Sequence, residues 1–399
     1  MKVKLEDIAV LINGDRGKNY PSQADIVPDG DVPFVNAGHL NGRVISFDEM
    51  NYISQEKYNR LNSGKFVTGD ILYCLRGSLG KKAVVKNNIY GTIASSLVII
   101  RPDAKKVDVD YLMFALDSPS IREQLVKANN GSSQPNLSAA SVKSYNIDLP
   151  DRKIQEEVVA KLTKVRRIID ARQQEIQKLD DLIKARFVEM FGDPVANPMR
   201  WPVKKLKELV VQVNSGNTPK GGSEVYVDEG ITFFRSQNVW KDRLEMNDIA
   251  YIDEETHASM RRSSLKHGDI LMTKTGRINT ENSSLGRAAL YLGEDDAANV
   301  NGHVYFIRLK PSVNNRFILR ILVSNEYRDL IRNVCVGGID KRQLNKDHIE
   351  EFPIICPPDE LVDEYIALVE QVNKYKSVVQ KSLDETQTLF DALMQQYFG

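Results

Sequence analysis

The sequence predicts an α+β protein: two similar, mixed α/β, β-rich globular domains joined by two long antiparallel coiled-coil helices, with pseudo-two-fold character. Three observations predict it. The same short elements recur in the same order in both halves. Each half closes on proline. A long segment without glycine or proline, apolar at heptad spacing, follows each closing proline. The expected division is a first domain over 1–150, a central helix over 151–192, a linker over 193–204, a second domain over 205–357 and a C-terminal helix over 358–399.

The domains rest on the repeat. Lys4-Leu5 returns as Lys205-Leu206, and Val32-Pro33-Phe34-Val35-Asn36 as Ile231-Thr232-Phe233-Phe234-Arg235. Gly69-Asp70-Ile71-Leu72 returns as Gly268-Asp269-Ile270-Leu271, and Ser78-Leu79-Gly80-Lys81 as Ser284-Leu285-Gly286-Arg287, with an insertion around Arg277 to Asn282 in the second copy. Ile100-Arg101 answers Ile307-Arg308, and Ser118-Pro119-Ser120-Ile121-Arg122 answers Ser324-Asn325-Glu326-Tyr327-Arg328. A Gly-rich loop before leucine follows in both, Gly131 to Leu137 and Gly337 to Leu344, and Leu149-Pro150 and Cys356-Pro357-Pro358 close the halves. A period of half the chain is far too long for a solenoid and fits a duplicated domain.

The helices rest on spacing. Val158, Leu162, Val165, Ile169, Arg172, Ile176, Leu179 and Ile183 alternate four and three apart, as do Tyr365, Val369, Val372, Lys376, Val379, Leu383, Thr386, Phe390, Leu393 and Tyr397. This is an a/d seam. About 40 residues at ~1.5 Å each give a rod of roughly 60 Å. The first helix carries the chain away from the first domain, so the second must return to bury its stripe on the first. That return makes the pair antiparallel and brings the acidic start of the second helix, Asp359 to Glu364, near Lys184 and Arg186. Arg172 and Lys376 are polar seam positions. Snorkelling at a wet seam and fixing of register are both open readings. Val159, Ile168, Ile366 and Leu368 fall off the seam, where either a partner or broad core packing would cover them.

Composition narrows the function. Lys plus Arg and Asp plus Glu are 54 each, for a net charge of zero, which argues against coating nucleic acid by bulk charge but leaves room for a local basic cleft. No apolar run reaches the ~18 residues of a membrane span, and the charged start is no signal peptide. The three cysteines, Cys74, Cys335 and Cys356, have no metal spacing, and a reduced, cytoplasmic protein is expected. Gly77-Ser78-Leu79-Gly80-Lys81-Lys82 has the wrong length and ending for a phosphate loop and reads as a turn. The histidines show no ligand spacing, and Asn197-Pro198-Met199 shares only its first two residues with an amino-methyltransferase site. No catalytic residue, metal or cofactor is therefore expected in this chain.

The duplicated loops instead carry hydrogen-bonding side chains. In the first half these are Asn13, Arg16, Lys18, Asn36, His39, Arg76, Ser78, Ser132, Ser133, Gln134 and Asn136. In the second they are Asn217, Lys220, Arg235, Gln237, Asn238, Lys274, Thr275, Arg277, Lys341, Arg342 and Gln343. Arg, Lys, Asn and Gln can pair bidentately with purine edges, and Ser, Thr and Lys suit phosphates. Polar residues also fill loops without any such role. Framework agreement with differing loop chemistry is what two half-site readers on one scaffold need.

The ordered set resembles the specificity (S) subunit of type I restriction-modification systems over essentially the whole chain. The resemblance rests on the twin Gly-Asp-Ile-Leu strands, a long helix ending in Phe191-Gly192-Asp193-Pro194, a second domain opening with Trp201-Pro202 and Lys205-Leu206, and the loop Gly131, Gln134, Leu137. The second copy departs in setting Gly337 and Gly338 farther from Gln343. The resemblance implies a non-catalytic subunit with two target recognition domains, each reading half of a bipartite, asymmetric sequence in double-stranded DNA. It implies that the helices act as a spacer ruler. It implies two methyltransferase (M) subunits that carry S-adenosylmethionine and methylate adenine, and motor-nuclease restriction (R) subunits, with no membrane partner. The alternatives are a coiled-coil protein-interaction adaptor and a self-contained DNA methyltransferase or nuclease. The latter would need a cofactor loop or an acidic metal cluster.

Overall fold

The computed structural model describes residues 1–129, 135–280, 282–338 and 340–399. It divides into two compact units, one of residues 1–175 with 378–399 and one of 176–377. The units do not follow the linear segments 1–150 and 205–357, because each takes a share of both long helices, Arg152–Phe191 and Asp359–Phe398.

In the first unit an antiparallel sheet runs in the order Ala9–Asn13, Leu97–Pro102, Ile71–Cys74, Lys82–Val84. A second sheet runs Tyr52–Ile53, Val32–Val35, Gly91–Ile93, Lys65–Phe66, with Val32–Val35 and Gly91–Ile93 parallel. The Gly-Asp-Ile-Leu strand is apolar at every position because both its faces are covered. Ile71 and Tyr73 join a core with Val98, Ile100 and helix residues, while Leu72 and Cys74 face the core shared with Val35, Phe66 and Ile93. The twin aspartate is a buried pin. Asp70 is 1% exposed and accepts Arg101 Nε and Nη2, both at 2.8 Å, and the Val67 amide at 2.8 Å. Gly69 before it has φ +92°, a left-handed backbone that favours glycine.

The second unit repeats this plan. Its sheets run Val210–Ser215, Val304–Leu309, Ile270–Thr273, Ala288–Leu290 and Tyr226–Val227, Ala250–Ile252, Ile231–Phe234, Ala298–Val300. The parallel pair recurs as Ile231–Phe234 with Ala298–Val300. The pin recurs atom for atom: Arg308 Nε and Nη2 reach Asp269 at 2.9 and 2.7 Å, and Lys266 N reaches it at 2.8 Å.

The helices pair antiparallel in each unit. In the first, Lys161 Nζ lies 3.2 Å from Tyr397 Oη and the Arg166 guanidinium 4.7 Å from the Phe390 ring. In the second, Lys376 bonds Asp180, and Arg186 reaches Glu364 at 3.1 Å. Val158, Leu162, Val165, Ile169 and Ile183 are buried, as are Tyr365, Val372, Val379 and Phe390. Arg172, Ile176, Leu179, Val369, Lys376, Leu383 and Leu393 are half-buried.

Two expectations change at the helix ends. There the stripe departs from heptad spacing, because the helices pack on the domain cores as well as on each other. Phe187 and Phe191 continue the first stripe into a cluster with Phe317 and Tyr365, with Phe191–Phe317 centroids 5.0 Å apart, and Met394 and Phe398 bury more deeply than Leu393 and Tyr397. Ile366, expected off the seam, is core at 9% exposure, Val159 and Leu368 pack against the cores, and Ile168 stays 39% exposed. Lys376, carrying an ammonium paired to Asp180 in a half-buried setting, should be replaceable: Lys376→Leu is expected to shift stability by no more than about 1 kcal/mol, read as a urea midpoint. A loss above that would mean that the pair is far better shielded than its exposure shows.

Among the described residues, no helix is long and apolar enough to cross a membrane, and no group of His, Cys, Asp and Glu has the placement of a metal site.

Candidate nucleic-acid interface

Topology gathers the candidate loops. In the first unit Asn13 and Tyr73 pair with Val98 from either side, so the strand ends leading to Arg16 and Lys18 and to Arg76 and Ser78 lie at one end of the sheet. Val35, leading to Asn36, pairs with Ile93 just before the chain turns into Leu97–Pro102, which brings the third loop to the same end. The fourth segment docks there too: Arg76 bridges Asn136, Gly77 N donates to Pro135 O at 3.1 Å and Leu137 N to Leu75 O at 2.8 Å. Ser132, Ser133 and Gln134, with Gly131 of the same loop, lie outside the described residues.

In the second unit Ser215, Thr273 and Phe234 end strands at the corresponding edge. Here the loop contact has become a ribbon. Thr275–Arg277 pairs with Lys341–Gln343, which pairs with Val336–Gly337. Thr275, Arg277, Lys341, Arg342 and Gln343 therefore share one small sheet beside Lys274, and Gly276 lets the Leu285 amide approach where any Cβ would stand 2.3 Å from it.

The candidates separate by what their side chains already do. Asn13, Arg16, Lys18, Arg76, Ser78, Asn136, Asn217, Lys220, Gln237, Arg277 and Lys341 are exposed. Arg277 meets Asp340 at 3.2 Å, Gln237 meets Asp248 at 3.1 Å and Gln343 meets Asn345 at 3.1 Å. Between Gly14 and Arg16, buried Asp15 shapes its loop. Its carboxylate accepts the amides of Gly17 and Asn62, each at 2.8 Å, and these bonds, Gly17 first, hold it below the usual carboxylate range.

Asn36, His39, Arg235 and Asn238 already have partners within their own loops. Asn36 caps a short turn through Gly38 N at 2.8 Å, and His39 is buried, with Nδ1 on Asn36 N at 3.1 Å and Nε2 facing Glu49 O at 3.3 Å. Asn238, fully buried, takes the same place: its Oδ1 accepts Arg235 N at 3.0 Å and its Nδ2 donates to Glu245 O at 3.1 Å. Arg235 pairs with Asp248 and lies near the Tyr226 ring. These four hold loop shape, because the turn leaves backbone groups that only a side chain can satisfy.

Comparison with known proteins follows the same lines. Residues 1–181 match the type I restriction modification DNA specificity domain. The chain is 22% identical to the type I restriction enzyme StySPI specificity subunit of Salmonella potsdam, over 95% of this chain and 84% of that protein. It is 24% identical to the MjaIX specificity subunit of Methanocaldococcus jannaschii, over 92% and 85%. Among solved structures, the S subunit of a type I system from M. genitalium superposes with a TM-score of 0.57 at 16% identity, covering all of this chain and 96% of that one.

Proposed function

We propose that the chain is a specificity subunit of a type I restriction-modification system, a DNA-recognition rather than a catalytic subunit, as its matches suggest, and that each of its domains reads one half of a bipartite, asymmetric target. The observation that carries this reading is the duplicated sheet end. The sheet order behind that end, and the Asp–Arg pin at the far end of the same strands, recur in both units, while the exposed side chains at the loop end differ: Arg16, Lys18 and Arg76 in one, Lys220, Arg277 and Lys341 in the other. Equal frames with unequal hydrogen-bonding groups suit two different half-sites. Methyltransferase subunits carrying S-adenosylmethionine and restriction subunits would supply the chemistry in a cytoplasmic complex, and the helices would set the gap.

The test is co-expression with a methyltransferase subunit, followed by sequencing of host DNA for N6-methyladenine. A bipartite motif with a fixed gap is expected. No motif from a complex that assembles and binds S-adenosylmethionine would sink the reading. Within that assay Arg277→Ala should relax the motif in one half only, at about 1–3 kcal/mol of discrimination if it meets a base edge. His39→Ala should lower stability and leave the motif intact. Relaxed specificity from His39→Ala in a folded complex would return that residue to the reading surface.

A further inference from the structure

The same hairpin sits in opposite electrostatic surroundings in the two domains. In the first, Leu40–Asn41 and Val44–Ile45 turn through Arg43. Its guanidinium lies 4.1 Å from the Phe114 ring centroid, 3.6 Å from Asp110 and 3.7 Å from Asp117, and Lys82 also bonds Asp117. Charge there is cancelled locally. In the second, Val239–Trp240 and Arg243–Leu244 turn through Lys241 and Asp242. Counted from the capping residues Asp108 and Asn314, the helix positions of Asp110, Phe114 and Asp117 are held by Arg316, Arg320 and Val323. The carboxylates facing the hairpin have become a cation and a valine, and the phenylalanine has become an arginine.

A cleft of about 610 Å³ opens at this point, lined by Lys184, Lys241, Asp242, Arg243, Arg320 and Lys376 among others. Six lysines and arginines line it, Arg316 among them, against three acids, Asp180, Asp242 and Glu326. Asp180 is taken by Lys376, Arg243 meets Glu245 at 3.4 Å, and Arg316 reaches Glu370 at 3.8 Å. Neither Lys241 nor Arg320 makes an ion pair with a carboxylate of the described residues. Partial burial, then the charges of Arg328, Lys184, Arg320 and Arg332, push the Lys241 ammonium below its ordinary range. The cationic surface continues toward the candidate reading loop. The Arg287 guanidinium stacks 3.9 Å from the Trp240 ring, with Arg243 at 5.3 Å, and Arg328 donates to Thr280 O at 3.2 Å. In the first domain the place of Trp240 is held by Asn41 and that of Arg287 by Lys81, whose ammonium bonds Ala37 O at 2.9 Å, while Arg287 donates Nε to Ser283 O at 2.9 Å and Nη2 to Asn282 O and still stacks on the indole.

We propose that this cleft is a phosphate-binding extension of the second domain's DNA surface, in which Lys241, Arg243, Arg287 and Arg320 hold phosphodiester oxygens of the duplex backbone, and that the first domain has no equivalent. The proposal rests on the reading that the second domain binds DNA. Cations in excess over the acids beside them attract a polyanion, and an arginine-flanked tryptophan next to them suits a sugar–phosphate edge. Such contacts add affinity without sequence information and appear as salt dependence.

The experiment uses the complex with methyltransferase subunits, a duplex with the mapped target and one with that target scrambled. Dissociation constants are measured between about 50 and 200 mM salt. Two variants are compared with the parent: Lys241→Ala with Arg320→Ala, and separately Val323→Asp, which restores a carboxylate where the first domain has Asp117. The double variant should lower the log–log salt slope by roughly 1–2, weaken both duplexes by the same factor and leave the methylated motif unchanged. Val323→Asp should lower binding in the same sense with the fold intact by thermal unfolding. An unchanged slope in both variants overturns the proposal. So does loss of subunit assembly with the slope preserved, which would make the cleft a seat for an acidic protein surface. If the parent complex shows no salt-dependent duplex binding, the DNA-reading function itself has failed, before either variant is compared.

Discussion

Arg308→Ala is expected to remove about 3–5 kcal/mol from the stability of the second unit, because it strips the partner from a buried charge and leaves the charge in place. Asp269 is 1% exposed, and its two oxygens are committed to Arg308 and to the Lys266 amide. The same arginine also donates to Ser264 O at 3.2 Å, so the substitution loosens the chain on both sides of the Gly-Asp turn. Arg101→Ala should act in the same direction on the first unit but less strongly, since the Arg101 side chain is 40% exposed against 21% for Arg308 and water can reach more of the vacated site. Replacing both partners, Asp269→Leu with Arg308→Met, should cost less than Arg308→Ala alone. Urea unfolding followed by a probe in each unit separates the two effects, which a single two-state fit would merge. Losses under about 1 kcal/mol for both single arginine variants would show that the turns are held by their surroundings rather than by the pins.

Why one half of this pin was legible and the other was not has a simple physical basis. Gly-Asp before an apolar strand is a local pattern, and its recurrence marks the strand and its left-handed glycine. The arginine lies 31 residues away in one copy and 39 in the other, the difference reflecting the insertion, and only the folded sheet brings it back. The apolar spacing of the helices was legible, and Val158, Leu162, Ile183 and Tyr365 are buried. Phe187, Phe191, Ile366, Met394 and Phe398 lie off that spacing and are buried as well, because near their ends the helices pack on domain cores. Loop residue types pointed to base-edge chemistry, yet His39 and Asn238 look no different in sequence from Arg76 or Arg277. Burial and a carbonyl within reach set what their side chains bond to within the loop, and neither is local. The cationic cleft of the second domain was invisible for the same reason: Lys184, Lys241 and Arg320 come from three separate parts of the chain.

On the proposed reading, exchanging the first domain for that of a type I specificity subunit should change one half of the DNA target completely and leave the other half and its methylation untouched. The structure alters how that exchange must be cut. A graft of residues 1–150 would replace Leu5, Tyr111, Phe114 and Ile147 while keeping Val158, Leu162, Val165, Phe390, Met394 and Phe398, which share one core with them. Tyr111 and Phe398 are ring partners at 5.2 Å and Phe114 and Phe390 at 6.3 Å, and a mismatch there either overpacks or leaves cavities, at about 1–5 kcal/mol. A graft of 1–175 together with 378–399 carries the whole core across. Both grafts should show the new half-site, but the second should unfold at the higher urea midpoint, and by a margin of that size. If both halves of the target change, reading is not modular. If the two grafts are equally stable, the helix stripes contribute little to the domain core, and the linear domain of 1–150 is the true folding unit.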